Sequence, residues 1–135
     1  MNEFQFKQAA KRKTWIFPLI VIVLLYITIP VLLINKGGNN FEKALTYASS
    51  DPIQAANYFN SANVFSDFAG NFPGFSGWAN SLINRSKQKV QAVYQEECGK
   101  ISKKTQEEQI SFCKDWKTFS EKTHIKLPEC EITCP

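Results

Sequence analysis

The sequence is poor in the residues and motifs that catalysis requires. It contains a single histidine, His124, and it has neither the serine elbow of a hydrolase nor a glycine loop with the lysine of a phosphate site. No pair of nucleophile and base can be assembled from the residues that remain. We therefore expect a protein that is not an enzyme, with no catalytic residues, no cofactor and no small-molecule substrate.

The spacing typical of a metal site is also missing. The four cysteines, Cys98, Cys113, Cys130 and Cys134, include no C-x2-C pair, and the last two lack the C-x-x-C spacing of thiol oxidoreductases. An even number of cysteines in a small domain outside the cytosol is typical of structural disulfides. We expect two disulfides, an oxidising compartment and no metal ligand, with free or intermolecular thiols as the alternative.

Charged residues are absent from residues 15–34, which read WIFPLIVIVLLYITIPVLLI. Seventeen of these twenty residues are apolar, and at about 1.5 Å per residue they span the roughly 30 Å hydrocarbon core of a bilayer. We expect a transmembrane helix over residues 15–35. A cleaved signal peptide is the competing interpretation, but no small-x-small cleavage site follows the apolar run, which favours a retained signal anchor.

The excess of basic residues lies next to this span. Residues 1–14 carry four bases and Glu3, whereas the chain from Lys36 onward holds twelve bases against eleven acids. This distribution gives no reason to expect a nucleic-acid partner. Because Lys and Arg beside a first span stay in the cytosol, it predicts a cytoplasmic N-terminus and a domain of residues 41–135 in the periplasm, the lumen or the extracellular space. The orienting residues are Lys7, Lys11, Arg12 and Lys13.

A second stretch, residues 44–84, carries only two charges, both aspartates, and is rich in aromatic residues. The aromatics recur at helical spacing, although glycines and a proline in residues 70–77 predict a loop within the pattern. They form the core of the domain or a face for partner helices, or they insert into a bilayer interface, or they stack on a sugar or a nucleotide. We expect protein to occlude Phe65, Phe68 and Phe72. The candidate partner or membrane contacts are Tyr58, Phe65, Phe68, Phe72, Phe75 and Trp78.

Local signals predict the helix boundaries in the first half of the domain. Residues 36–40 form a short flexible linker by composition, after which Asn40 caps a short helix. Asp51 followed by Pro52 is a strong helix start, since the aspartate caps and the proline suits the first turn. The helix that begins there should extend to about Ala69.

The second half shows similar signals. An amphipathic helix is predicted from about Ala79, with Gly99 as its terminator. Thr105, with Glu108 three residues later, forms a capping box that opens the last helix. We expect this helix to end near Lys122 and the remaining residues to form an extended tail.

The predicted hairpin of the last two helices determines the expected disulfides. Cys113 lies about 12 Å along its helix from the hairpin turn, which exceeds the roughly 7 Å limit between Cα atoms for a bond to Cys98. A tail that folds back along the last helix brings Cys130 to Cys113 and Cys134 to Cys98. We therefore expect Cys113 to pair with Cys130 and Cys98 with Cys134.

These expectations combine into a mainly α fold, in which one N-terminal transmembrane helix precedes a small disulfide-stapled helical domain with an extended C-terminal tail. The predicted function is that of a non-catalytic structural or accessory subunit of a larger membrane assembly, such as a secretion, envelope or virion complex. Its partners would be the lipid bilayer and other subunits of that complex. The alternative is a membrane-active protein that promotes fusion or lysis through residues 58–78.

Overall fold

Four helices account for most of the chain. The computed structural model describes residues 3–132 and 134, with side chains described from Trp15 onward. α1 covers Glu3–Ala48, α2 covers Pro52–Gly70, α3 covers Ser76–Ile101 and α4 covers Gln106–Thr123, and no strand occurs among these residues. With its long apolar first helix and two disulfides in the C-terminal part, the chain has the predicted fold class.

α1 is one continuous helix where the sequence predicted a span, a linker and a second short helix. The flexible linker predicted over residues 36–40 and the helix predicted to start at Asn40 are both wrong, because this whole stretch is helical. Each glycine weakens a helix by about 1 kcal/mol, but packing against a neighbouring helix outweighs that cost. Gly37 is buried, and a Cβ added there would lie 2.7 Å from the hydroxyl oxygen of Ser66 in α2. The glycine therefore permits close approach of two helices.

The turn between α1 and α2 has the predicted helix start. Asp51 accepts a hydrogen bond from the Gln54 amide at 3.0 Å, and Pro52 is the first residue of α2. The Asp51 amide donates to the Tyr47 carbonyl at 2.7 Å, which closes a turn of three residues, 49–51. α2 consequently runs back along α1, and no other pair of helices shares as extensive a contact.

α3 and α4 are separated more widely than a tight hairpin would allow. α3 begins at Ser76, earlier than predicted, and continues past Gly99 to Ile101. α4 opens with the predicted capping box of Thr105 and Glu108 and packs mainly on α2, with few contacts to α3. The space between α3 and α4 is available to the tail.

The tail crosses to α3 instead of following α4. His124 ends α4 in a left-handed conformation (φ 55°, ψ 24°), which redirects the chain, and the next residue, Ile125, is buried. The side-chain amide of Gln91 in α3 then donates to the Lys126 carbonyl at 2.7 Å. The tail is therefore attached to α3 before it reaches its cysteines.

This path explains why the predicted disulfide pairs, Cys113 with Cys130 and Cys98 with Cys134, are wrong. The tail meets α3 first, so Cys130 bonds to Cys98, with 5.9 Å between the Cα atoms. It then turns back to α4, where Cys134 bonds to Cys113, with 5.6 Å between the Cα atoms. All four cysteines are paired, so the participation of each in a disulfide is confirmed.

Aromatic rings from all four helices form the core. The ring of Phe59 in α2 meets Phe41 of α1 and Phe119 of α4 edge-on, with centroids 5.0 Å and 6.3 Å apart. Trp116 contacts Tyr94 of α3 at 5.0 Å and is almost completely buried. Such ring pairs add about 0.5–1.5 kcal/mol each beyond the burial of their area. The core therefore lies around the C-terminal part of α1, beyond the predicted span.

Candidate functional site

One side of α1 is covered by α2 and α3 well into its apolar run. The buried residues recur every three or four positions, as on one face of a helix. Two of them, Pro30 and Ile34, belong to the predicted span. The rest of α1 is bare at the same level, since Leu25 and Leu32 are 52% and 61% exposed. The covered residues are Pro30, Ile34, Gly37, Phe41, Ala44 and Ala48.

The turn between α2 and α3, residues 71–75, is here named the tip, and it is attached to the middle of the span. The Tyr26 hydroxyl donates to the Pro73 carbonyl at 2.8 Å, and the Tyr26 ring meets Phe72 edge-on at 5.8 Å. Gly74 has a φ of +89°, which a glycine adopts without steric cost. Tyr26 lies eight residues before Ile34, so the tip reaches about 12 Å below that residue along α1.

Four of the six candidate aromatic residues are half-buried against other parts of the chain. Tyr58 stacks on Tyr47 with centroids 5.5 Å apart, and the Lys36 ammonium lies 4.8 Å from the centroid of Phe65. The other two half-buried residues are Phe72, which contacts Tyr26, and Phe75. Tyr58, Phe65 and Phe72 therefore make contacts within the chain.

The remaining two aromatics face outward. Phe68 of α2 is 58% exposed and Trp78 of α3 is 51% exposed, and Val64, one turn before Phe68 in α2, is exposed as well. The described part of the chain does not cover Phe68, so the expectation that protein occludes this ring stays a prediction about a partner. α2 presents small residues to its neighbours, so its larger rings at other positions turn away from the interface. The buried residues of α2 after Pro52 are Ala55, Ala56, Phe59, Ala62, Ser66 and Ala69.

Sequence reasoning missed the two aromatics that matter most to the core of the first two helices. Phe41 and Phe59 are buried at 2% and 0% exposure, yet neither stands out by composition. The spacing of alanines in α2 is the signal that identifies the buried face, and Phe59 lies within it. In α4 Trp116 and Phe119 are buried, whereas Ile110, near the start of the helix, is exposed.

A groove of about 630 Å3 lies between α4 and the tail, and Tyr94 and Trp116 line it. Burial raises the pKa of the Tyr94 phenol, so that group is neutral at physiological pH. The Ser120 hydroxyl in the groove donates to the Ile125 carbonyl at 2.7 Å, which holds the tail. Among residues 15–132 and 134, no group of three or more His, Cys, Asp or Glu side chains is arranged to hold a metal ion.

Ionic contacts are found at the far end of α3 and the start of α4. Lys100 lies 2.8 Å from Glu96 and 2.9 Å from Glu97, and its hydrogen bond to Glu96 lowers the pKa of that carboxyl. The Thr105 amide and hydroxyl both donate to Glu108 and lower the pKa of its carboxyl. Exposed pairs of this kind add little to stability. They do show that the end of the domain opposite the tip is the strongly charged one.

No protein-family model matches the chain, and no curated protein or solved structure matches it. Within the described part of the chain, α1 is the one helix that is long and apolar enough to cross a membrane, over Trp15–Ala48. The side chains of the orienting residues Lys7, Lys11, Arg12 and Lys13 lie outside the described residues. The orientation of the chain therefore stays a prediction.

Proposed function

We propose that the chain is a non-catalytic, single-pass membrane subunit with a cytoplasmic N-terminus. The part after the span, residues 36–134, is here named the head and serves as a structural or accessory component of a larger membrane assembly. One observation carries the proposal: α1 passes from the apolar run into the core of the head as a single helix. The head is therefore held at a fixed distance and angle from the bilayer, as a structural subunit requires.

Two further features support this function. The disulfides Cys98–Cys130 and Cys113–Cys134 belong to an oxidising compartment, in agreement with a head outside the cytosol. In the groove beside α4, the Ser120 hydroxyl is bonded to the Ile125 carbonyl, so this polar group holds the tail. A protein that contributes shape and position fits these observations better than one that binds and converts a substrate.

A membrane-active function in fusion or lysis is a second candidate, because Phe68 and Trp78 are exposed. Purified full-length chain, reconstituted in liposomes loaded with a self-quenched dye, separates the two functions. A structural subunit leaves the dye inside and causes no lipid mixing with target liposomes. Dye release or lipid mixing that is lost in Phe68→Ala would replace the structural function by the membrane-active one.

Topology and assembly test the main proposal. Sealed cells are treated with a membrane-impermeant reductant and then with a membrane-impermeant thiol reagent, and a cytosolic thiol protein of the same cells is the control. Labelling of the four head cysteines before permeabilisation is expected, and labelling only afterwards would reverse the orientation. After mild solubilisation of the source membranes, native electrophoresis should show the chain in a complex larger than the monomer. Migration as a monomer would contradict a subunit function.

A further inference from the structure

We propose that the tip and the adjoining turns of α2 and α3 lie inside the same bilayer as α1, as a re-entrant hairpin. The occupant of the exposed apolar surface around Phe68 and Trp78 is thus the lipid of the chain's own membrane. The inference rests on the proposed role of α1 as a span. It adds that the membrane-embedded part of the protein has three helix segments in one leaflet of the bilayer and one helix segment in the other.

The depth of the tip follows from the length of the span. A hydrocarbon core of about 30 Å takes about 20 helical residues, which matches residues 15–34 and places Lys36 at the surface. Tyr26 lies ten residues before Lys36, which is about 15 Å at helical rise and close to the middle of the core. Because Tyr26 bonds to Pro73, the tip is at that depth whenever α1 spans the bilayer.

A shallower position would leave apolar surface in water. If water reached the tip, the bilayer would hold only residues 15–25, a length of about 17 Å that is too short to cross it. Ile27, Ile29 and Leu32 would then face water, because the chain itself leaves them 50%, 40% and 61% exposed. Lipid around these residues must also surround the hairpin that is packed on the opposite side of α1.

The charges on the three helices end at one level, as a membrane boundary requires. Lys36 of α1 lies over the ring of Phe65 in α2, only two residues from Asp67. Gly70 of α2 faces Ala79 of α3, and Arg85 lies six residues beyond that contact, which places it opposite residue 64. Lys36, Asp67 and Arg85 are therefore within about 5 Å of one plane. Between Asp67 and Arg85 the chain has no charged residue.

Several backbone groups of the tip are bonded within the chain. Unpaired backbone groups are costly in lipid, so non-helical backbone at that depth must be bonded within the protein. The Phe72 amide donates to the Ala69 carbonyl at 3.1 Å, and the Phe75 amide donates to the Phe72 carbonyl at 3.0 Å. Pro73 has no amide hydrogen, and its carbonyl accepts the bond from Tyr26. Asn71 of the tip and Ser76 of α3 are exposed at this depth, and the other exposed polar residues of this part of α3, Asn80, Ser81 and Asn84, lie closer to Arg85.

Tryptophan fluorescence in vesicles tests the proposal on the full chain. Trp15→Phe leaves Trp78 at the hairpin and Trp116 in the buried core. The protein is reconstituted in phosphatidylcholine vesicles brominated at mid-chain or unbrominated, with iodide on both sides as the aqueous quencher. We expect the bromolipid to remove most of the Trp78 emission and iodide to leave it unchanged. The matched control, Trp15→Phe with Trp78→Phe, reports Trp116 alone and should respond to neither quencher.

The Trp78→Phe variant retains Trp15 and reports separately whether α1 is inserted. If the bromolipid quenches Trp15 while iodide quenches Trp78, the hairpin lies in water and the inference is wrong although the span stands. If neither quencher reaches Trp78, a second copy of the chain covers it, and the inference is also wrong. If Trp15 escapes the bromolipid as well, α1 does not enter the bilayer and the proposed function fails first.

Discussion

The two ends of the helical domain are stabilised by different means. Near the span, α1 and α2 meet through small residues, with Gly37 against Ser66 and Ala62 and no covalent link. At the far end, large rings such as Trp116 and Phe119 fill the core, and two disulfides fix the tail. The first contact is narrow and close, and the second is wide and filled by bulky groups.

The first contact lies at the proposed membrane surface, beside Lys36, and the second lies well away from it. Between helices in lipid the hydrophobic effect provides no driving force, so close contact of small residues is the favoured way to pack them. In water, burial of aromatic area is the main driving force, and disulfides stabilise a domain too small for a sufficient core. The change from small residues to large rings therefore follows the direction in which the proposed hairpin leaves the bilayer.

The largest expected effect concerns the aromatic core. Phe59→Ala removes a ring with no exposed surface and should lower the free energy of unfolding by about 3–5 kcal/mol, because it leaves a cavity between α1, α2 and α4. Phe68→Ala removes the same ring from an exposed position of the same helix. This change should alter the free energy of unfolding by about 0.5 kcal/mol or less in detergent micelles. Denaturant unfolding measures both, and similar losses would show that Phe68 is a core residue after all.

The disulfides should follow in size. Replacing both Cys98 and Cys130 by alanine opens a loop of 32 residues, and replacing both Cys113 and Cys134 opens one of 21 residues. On loop-closure entropy each change should cost about 3–4 kcal/mol, with the longer loop slightly more costly. Thermal unfolding of the full chain gives the comparison. Peptide mapping without reduction should recover Cys98 with Cys130, and a peptide that joins Cys113 to Cys130 would contradict the described tail path.

The contact of small residues should respond to one added side chain. Gly37→Leu places atoms where Ser66 and the Ala62 carbonyl lie, at 2.7 Å and 3.3 Å from the first carbon, and should destabilise the domain by about 2–3 kcal/mol. Gly38→Leu is the matched control, because no atom lies within 4 Å of its added carbon. It should stabilise α1 by about 0.5–1 kcal/mol through helix propensity. Equal effects of the two variants would mean that α1 and α2 separate in solution.

The smallest effect is expected at the capping box of α4. Thr105 lowers the pKa of Glu108 from 4.5, so the carboxylate's contribution to stability is complete above that value and is lost as the pH falls through the lower folded pKa. Unfolding curves of wild type and Glu108→Gln should keep a constant separation at neutral pH and converge in acid. Thr105→Ala should cost about 1 kcal/mol at neutral pH. A separation that grows in acid would show that Glu108 does not act as a bound carboxylate.

Features that depend on a few neighbouring residues could be predicted from the sequence. Asp51 with Pro52 and Thr105 with Glu108 define helix starts by their own hydrogen bonds, and both are found as expected. The apolar run of α1 is equally local, since length and composition alone establish it. In each case the physical cause lies within one or two turns of the chain.

Features that depend on distant partners could not be predicted. The Gly37–Gly38 pair has the composition of a linker, but it is helical, and Gly37 packs closely against α2. The cysteine pairs required the path of the tail, which a bond from Gln91 and the turn at His124 determine. Phe68 resembles a core residue by spacing, and its exposure follows from the small residues that α2 uses instead.

The number of helices side by side increases along the long axis of the molecule, so the molecule is tapered. At the level of Ile20 only α1 is present, whereas at the level of Ile34 α2 and α3 stand beside it. In a bilayer such a shape displaces more lipid from one leaflet than from the other, as a wedge does. Many copies side by side would expand that leaflet and bend the membrane away from a plane. The attachment of the tip to Tyr26 would then bear on membrane curvature as well as on the fold.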